Sequence, residues 1–241
     1  MTVQVQKLRT GARLAGDETI RLDALEIAPL SAWPLQAHPD SDAVLLFYEG
    51  RGEIATADRV HAFQAIRHAF VPAGTAYELR NTGERALKLA FGLCPFGPTE
   101  RRDRHDRKAG PGGVTLLGIE QFDRFPDSGL VRGGMFFLDP GKAASYHSHD
   151  GAPEVFVFLL GHCEVTVEGE KASVGPGDVV YVPAELKHTL KNTSRSERLS
   201  VWLTVTPNVT PSHTFYEELP DGTWKRVTPR LDGRPVRPPS R

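Results

Sequence analysis

Three histidines and one glutamate sit at fixed intervals in the second half of the chain. The stretch GKAASYHSHDGAPEVFVFLLG, from Gly141 to Gly161, holds His147, His149 and Glu154, and GDVVYVPAELKHTLKN, from Gly177 to Asn192, adds His188. Imidazole nitrogens with a carboxylate oxygen form a borderline-soft donor set suited to a divalent transition metal. Residues two apart in a strand share a face, so His147 and His149 aim at one point. Glu154 returns to that point after the D-G-A-P turn, and His188 arrives from a strand distant in sequence, as a closed β-barrel allows. Neutral imidazole and ionised carboxylate are the ligating forms, so binding weakens as pH falls through the histidine range. Four protein ligands leave open positions on a five- or six-coordinate ion such as iron, manganese or nickel, and a substrate or dioxygen would use them.

The elements that must position these groups are short strands. AVLLFYEG, LKLAFGLC, GGMFFLD, EVFVFLLG, CEVTVEG, DVVYVP and LSVWLTV are rich in Val, Phe, Leu and Tyr, with Gly, Pro, Asn and Asp between them. That punctuation predicts an all-β sandwich or barrel. Gly175-Pro176-Gly177-Asp178 is a plain turn, since proline presets φ and glycine permits positive φ.

The pattern also repeats. Shifted by 111 residues, Pro140 falls on Pro29, His149 on His38, Phe158 on Phe47, Gly161 on Gly50 and Glu164 on Glu53. Val182-Pro183-Ala184 falls on Val71-Pro72-Ala73, and Asn192-Thr193 on Asn81-Thr82. The chain therefore holds two copies of one β-domain. At the same offset His147 corresponds to Gln36, Glu154 to Ala43 and His188 to Tyr77, so only His38 survives of the ligand set. The scaffold does not need the ligands. Clustering three imidazoles and a carboxylate in an apolar interior costs several kcal/mol unless something compensates, and a cation is the natural compensation.

The second copy resembles the two signature motifs of the cupin superfamily. The first motif is matched by Gly141, His147, His149, Glu154 and Gly161, the second by Gly177, Pro183, His188 and Asn192. The resemblance implies two tandem jelly-roll barrels, a bicupin with a degenerate N-terminal copy, and assigns His147, His149, Glu154 and His188 as metal ligands. One departure is visible: where the family has glycine two residues after the motif proline, this chain has Glu185, while the first copy keeps Gly74. A side chain there disfavours positive φ. An exposed turn residue is the expected reading of Glu185, a proton shuttle at the pocket mouth the sharper one.

The expected division is 1–98 for the degenerate barrel, 99–112 for a charged linker, 113–207 for the metal-binding barrel and 208–241 for an extended tail. His61, His68, His105, His162 and His213 lack ligand-like neighbours and are expected at the surface. Phe156 and Phe158 share strand parity with Glu154 and are expected to line the pocket, with Tyr146 and Trp202 as further lining residues. His38 with Gln36 and Tyr77 could form a polar, metal-free binding site inside the first barrel, but a filled core with one hydrogen-bonded histidine is the expected reading.

For function the resemblance implies, first, an Fe(II)-type oxygenase acting on a small organic substrate, Glu154 serving as a catalytic base when it leaves the metal. A non-oxidative metalloenzyme using Mn or Zn (decarboxylase, isomerase or aminohydrolase) and a non-catalytic small-molecule-binding bicupin are the alternatives. One divalent metal per chain is expected, Fe foremost, with Mn, Ni or Zn compatible, and a homodimer fits the resemblance. Lys+Arg 29 against Asp+Glu 30 gives a net charge of -1, so no basic footprint points to nucleic acid or an anionic membrane. No long uncharged apolar run predicts a membrane span, and the first residues lack the apolar core of a secretory signal. Cys94 and Cys163, far apart, exclude a disulfide framework and agree with an expected cytoplasmic location.

Overall fold

A computed structural model describes residues 3–17, 19–94, 113–120, 124–126, 128–208 and 213–227. Among them every regular element is a strand. The first half contributes β1 (Val5–Lys7), β2 (Arg13–Gly16), β3 (Arg21–Ile27), β4 (Ala32–Gln36), β5 (Asp42–Glu49), β6 (Arg51–Ala55), β7 (Val60–Gln64), β8 (Arg67–Val71), β9 (Tyr77–Asn81) and β10 (Leu87–Cys94). The second contributes β11 (Thr115–Leu117), β12 (Arg132–Leu138), β13 (His147–Ser148), β14 (Glu154–Leu160), β15 (Cys163–Val167) and β16 (Glu170–Val174). It continues with β17 (Asp178–Val182), β18 (His188–Asn192), β19 (Leu199–Val205), β20 (Thr214–Glu218) and β21 (Trp224–Val227). The all-β expectation of two tandem jelly-roll barrels is what is found.

Each barrel is a pair of sheets. The first pairs a six-stranded sheet, in the order β11-β8-β5-β10-β3-β2, with a four-stranded one, β4-β9-β6-β7. The second pairs a five-stranded sheet, β1-β17-β14-β19-β12, with a six-stranded one, β16-β15-β18-β13-β20-β21. Two of these sheets, those built on β5 and on β14, are buried on both faces. Hence β5 and β14 read as continuous apolar runs, whereas β15, on an outer sheet, alternates buried and half-buried residues.

Three apolar clusters follow. One fills the first barrel around Leu45, Phe47, Ile54, Leu79 and Leu89. Another fills the second barrel around Phe156, Phe158, Val165, Val180, Leu190 and Val201. The third lies between the barrels, where Leu22, Val44, Leu46, Phe70 and Ala90 meet Met135, Val155, Val157, Val179 and Trp202. The barrels therefore share a core back to back.

The repeat is exact enough to be seen in the hydrogen bonds. The Gly74 N–H donates to the His38 carbonyl at 2.9 Å, and the Glu185 N–H to the His149 carbonyl at 3.1 Å. Asn81 and Asn192 are both buried; their side-chain amides donate to backbone carbonyls on either side, and each Oδ1 accepts the N–H two residues on. These are the residues that closed the turns in both sequence copies.

Sheet membership departs from the expected division. β1 pairs antiparallel with β17 of the second barrel, Val5 opposite Val180, and β11 pairs with β8 of the first, Thr115 opposite Phe70. The barrels thus exchange edge strands. Nor is the stretch after residue 207 a loose tail throughout, since β20 joins the outer sheet beside β13 and is covered by β21. The expected linker at 99–112 and the last residues of the chain lie outside the described residues, as does His105.

Candidate metal centre

His147 and His188 stand directly opposite each other in the β13–β18 pair, so both side chains face the interior. His149 follows β13, and Glu154 opens β14 on the facing sheet, opposite Val182. The register is that of the first barrel, where Gln36 stands opposite Tyr77 and Ala43 opposite Val71. The turn between His149 and Glu154 is locked to the second motif, because Gly151 N–H donates to Glu185 Oε1 at 2.5 Å. Glu185 itself adopts φ 70°, close to the 82° of Gly74. The turn therefore keeps its positive φ despite the side chain. The Glu185 carboxylate is spent on that turn and is exposed, which removes the proton-shuttle reading.

The four predicted ligands converge. Their ligand atoms all lie within 4.8 Å of one another, and His149, Glu154 and His188 are 2%, 4% and 1% exposed. Glu154 Oε2 is 2.8 Å from His149 Nε2, 2.8 Å from His188 Nε2 and 4.0 Å from His147 Nε2. Two of the rings have a set tautomer. His147 Nδ1–H donates to the Ser145 carbonyl at 2.7 Å, and His188 Nδ1–H to the Leu186 carbonyl at 2.9 Å. In the neutral ring this leaves a lone pair on Nε2. With Nδ1–H committed to Leu186, His188 meets the Glu154 carboxylate through Nε2, either by carrying a second proton there or by sharing a cation with it. Two donors at right angles on one ion with bonds of about 2.1 Å lie about 3 Å apart, so the spacing suits a metal.

Burial, with the neighbouring rings adding to it, pushes the His147 pKa well below its ordinary value, so that ring is neutral. For Glu154 burial acts upward, but the His149 and His188 rings outweigh it and hold the carboxyl well below the usual range. Both shifts favour the ligating forms.

Two further groups, absent from the sequence reading, complete the interior. His213 was expected at the surface; its ring lies 4.9 Å from that of His147 and 4.7 Å from that of His149, stacked on Phe215. Burial first, then the Arg132 charge, pushes its pKa down to about 3. Arg132 Nη2 reaches His149 Nδ1 at 3.3 Å and His213 Nε2 at 3.2 Å. Neither belongs to a motif. The signal for His213 was its place one residue before Thr214–Glu218, where TFYEE, with a β-branched residue and two aromatics, makes a strand rather than a tail.

The remaining expectations divide. Phe156 and Phe158 face the interior, Phe156 with its ring 5.8 Å from that of His188. Trp202 does not: it points into the core between the barrels. Tyr146, opposite in parity to its histidine neighbours, packs on Trp224 at 4.2 Å instead of entering the pocket. His68 is fully buried in the layer between barrels, 5.7 Å from Phe125, and so is not at the surface, whereas His162 is exposed. Cys94 and Cys163 are buried, and burial raises both thiols, Cys163 to about 12, as expected of packed side chains. In the first barrel Tyr77 and Ala43 are buried where His188 and Glu154 stand in the second. Among the described residues one group of side chains could hold a metal, and it is the one in the second barrel. No helix there is long and apolar enough to cross a membrane.

Twin barrels with three imidazoles and a carboxylate inside one of them define a β-barrel protein with a side-chain cluster that could hold a metal ion. Residues 134–205 match the cupin domain family. Over 68 residues the chain is 35% identical to an uncharacterized protein of Streptomyces coelicolor, a match spanning 28% of this chain and 64% of that relative. Among solved structures, a salicylate 1,2-dioxygenase from Pseudaminobacter salicylatoxidans superposes with a TM-score of 0.63 at 13% identity, covering 78% of this chain and 71% of that one. Oxalate decarboxylase from Lactobacillus farciminis superposes with a TM-score of 0.58 at 11% identity, covering 83% and 80%. At such identities the likeness is one of fold. The cupin match thus falls on the second barrel, and for the chain as a whole the comparisons show a shared fold.

Proposed function

We propose that the second barrel holds one divalent transition metal through His147, His149, Glu154 and His188, with Fe(II) first in rank, and that the protein oxygenates a small organic substrate there. The observation that carries the reading is the convergence of four ligand atoms within 4.8 Å of one another, with His149 Nε2 and His188 Nε2 each 2.8 Å from Glu154 Oε2. When bound, the metal supplies Lewis acidity and, if iron, one-electron chemistry with dioxygen. The chain does the rest. Ser145 and Leu186 carbonyls hold two rings in the ligating tautomer, as partners behind metal ligands do. Phe156, Phe158, Val182 and Leu190 wall the interior and exclude water. Glu154 Oε2, already flanked by two ring nitrogens, is the atom that would take a proton from substrate.

A Lewis-acid reaction with Mn or Zn is the second reading, supported by the fold shared with oxalate decarboxylase. Elemental mass spectrometry on untagged protein purified without oxygen, beside the His147→Ala/His149→Ala variant, tests the first claim. About one metal per chain, lost in the variant, is the expected result. No stoichiometric metal after reconstitution would overturn it. Iron with substrate-dependent oxygen uptake supports the oxygenase, while manganese or zinc without uptake moves the assignment to the second reading.

A further inference from the structure

The substrate class is written in how Arg132 is placed. Across the inner sheet Val182 stands opposite Glu154, Glu154 opposite Val205, and Val205 opposite Arg132. Directly paired residues share a face, so Arg132 points into the same interior as Glu154, two strands along and roughly 10 Å away at the backbone. Its Nε is enclosed and has no hydrogen-bond partner. Its Nη2 meets only imidazole nitrogens, at 3.2 and 3.3 Å. In a guanidinium, Nε–H and one Nη–H pair lie side by side along one edge, the edge that receives a carboxylate through two parallel hydrogen bonds.

Two independent considerations give that edge an external partner. The first is charge. A divalent ion, the Glu154 carboxylate and the Arg132 guanidinium together leave two positive charges in an apolar interior, and a buried charge demands a counter-ion. Moreover, once His149 gives Nε2 to a cation its ring proton sits on Nδ1, which then no longer accepts from Arg132. The second is the other barrel. Shifted by 111 residues, Arg132 falls on Arg21 and Gly134 on Asp23. Arg21 Nε donates to Asp23 Oδ2 at 2.6 Å, so in the first barrel the Nε that stays unpartnered on Arg132 meets the barrel's own carboxylate, which Arg13 shares. In the second barrel that carboxylate has been replaced by glycine.

We propose that Arg132 is the carboxylate anchor of the second barrel, and that the substrate is a small organic acid whose carboxylate takes the role Asp23 plays for Arg21. The inference rests on the second barrel being the substrate site. It does not depend on which metal is held or on whether the reaction is oxidative.

Calorimetric titration with matched acid and amide probes tests it: pyruvate against pyruvamide, and salicylate against salicylamide, on the full chain with and without bound metal. Exchanging a two-pronged charged contact for a neutral one is worth about 10- to 100-fold in affinity. The acid of at least one pair is expected to bind that much tighter than its amide. In Arg132→Gln the preference should fall below about 3-fold, with metal content unchanged. Should Arg132→Gln lose metal through its contact with His149, Arg132→Lys keeps the charge without the fork, and its acid preference is expected to lie between the two. Amides that match their acids in the wild type, acids that all fail to bind at millimolar concentration, or a preference that survives in Arg132→Gln would each overturn the anchor. A wild type that takes up no metal on reconstitution yet still prefers acids would instead overturn the metal reading and leave the anchor standing.

Discussion

Truncating Trp202 to alanine tests whether the two barrels stand or fall together. The side chain is 0% exposed and lies in the cluster to which both barrels contribute. Its Nε1 is enclosed and has no hydrogen-bond partner. Burying an aromatic of this size removes up to about 250 Å² from water, and truncation of such a residue costs about 3–5 kcal/mol. With an unfolding entropy near 2.1 cal/mol/K per residue, the 241-residue chain should lose about 6–10 °C in melting temperature. Trp202→Phe loses less area and also deletes an unsatisfied N–H, which returns about 1–3 kcal/mol, so its net cost should stay below about 1.5 kcal/mol. Scanning calorimetry and urea unfolding provide both numbers. The wild type and both variants should show one transition. The reasoning fails if Trp202→Phe costs as much as Trp202→Ala, if Trp202→Ala loses under about 1 kcal/mol, or if the barrels melt separately.

Glu154→Gln keeps the shape of the side chain and removes its charge; metal affinity, measured by competition with a chelator, should drop by more than about 100-fold, and an unchanged affinity would exclude Glu154 from the ligand set. His213, held at a pKa of about 3 against an ordinary 6.5, stays neutral in the folded state while the unfolded chain takes up a proton, so stability is lost as pH falls below 6.5. That loss amounts to about 2 kcal/mol by pH 5. Urea unfolding of metal-free protein at pH 7.5 and 5.0 should show a loss about 2 kcal/mol larger in the wild type than in His213→Asn, which keeps the loss due to the buried neutral His147; equal losses in the two would contradict the burial of this ring. Gly133→Ala would place a Cβ 2.2 Å from the Leu203 carbonyl oxygen, so the β12–β19 pairing must open and destabilise the chain by several kcal/mol; a melting temperature within 2 °C of wild type, a bound of about 1 kcal/mol, would show that the strand adapts.

The sequence shows best what is local. Gly50 and Gly161, both at positive φ, and Asn81 and Asn192, both folded back on their own turns, are single residues whose chemistry compels a turn, and they marked the repeat. The four ligands were readable because their spacing is that of two turns and the strands they join. Trp202 was misread for a physical reason. Leu199, Val201, Leu203 and Val205 form the apolar face of β19 turned to the second barrel's interior. Trp202 lies with Ser200 and Thr204 on the face covered by the other barrel, a cover that the strand's own sequence does not reveal. Arg132 and His213 come from the strands flanking the motifs, and only pairing across the sheets brings them in. The exchange of β1 and β11 was invisible because strands of three residues carry almost no periodicity.

That exchange has a consequence for how the chain is made. Val5 and its partner Val180 are separated by 175 residues, a stretch that takes a ribosome about 10–35 s to synthesise. Until Val180 emerges, β1 has no sheet to join, and until Thr115 emerges the β8 edge of the first barrel is bare. The first barrel thus passes through a stage with an exposed strand edge, and β1 is the clasp added once the second barrel has formed. A fragment cut at residue 113 would carry His147, His149, Glu154 and His188 but lack its clasp, so the second barrel is best studied in the full chain.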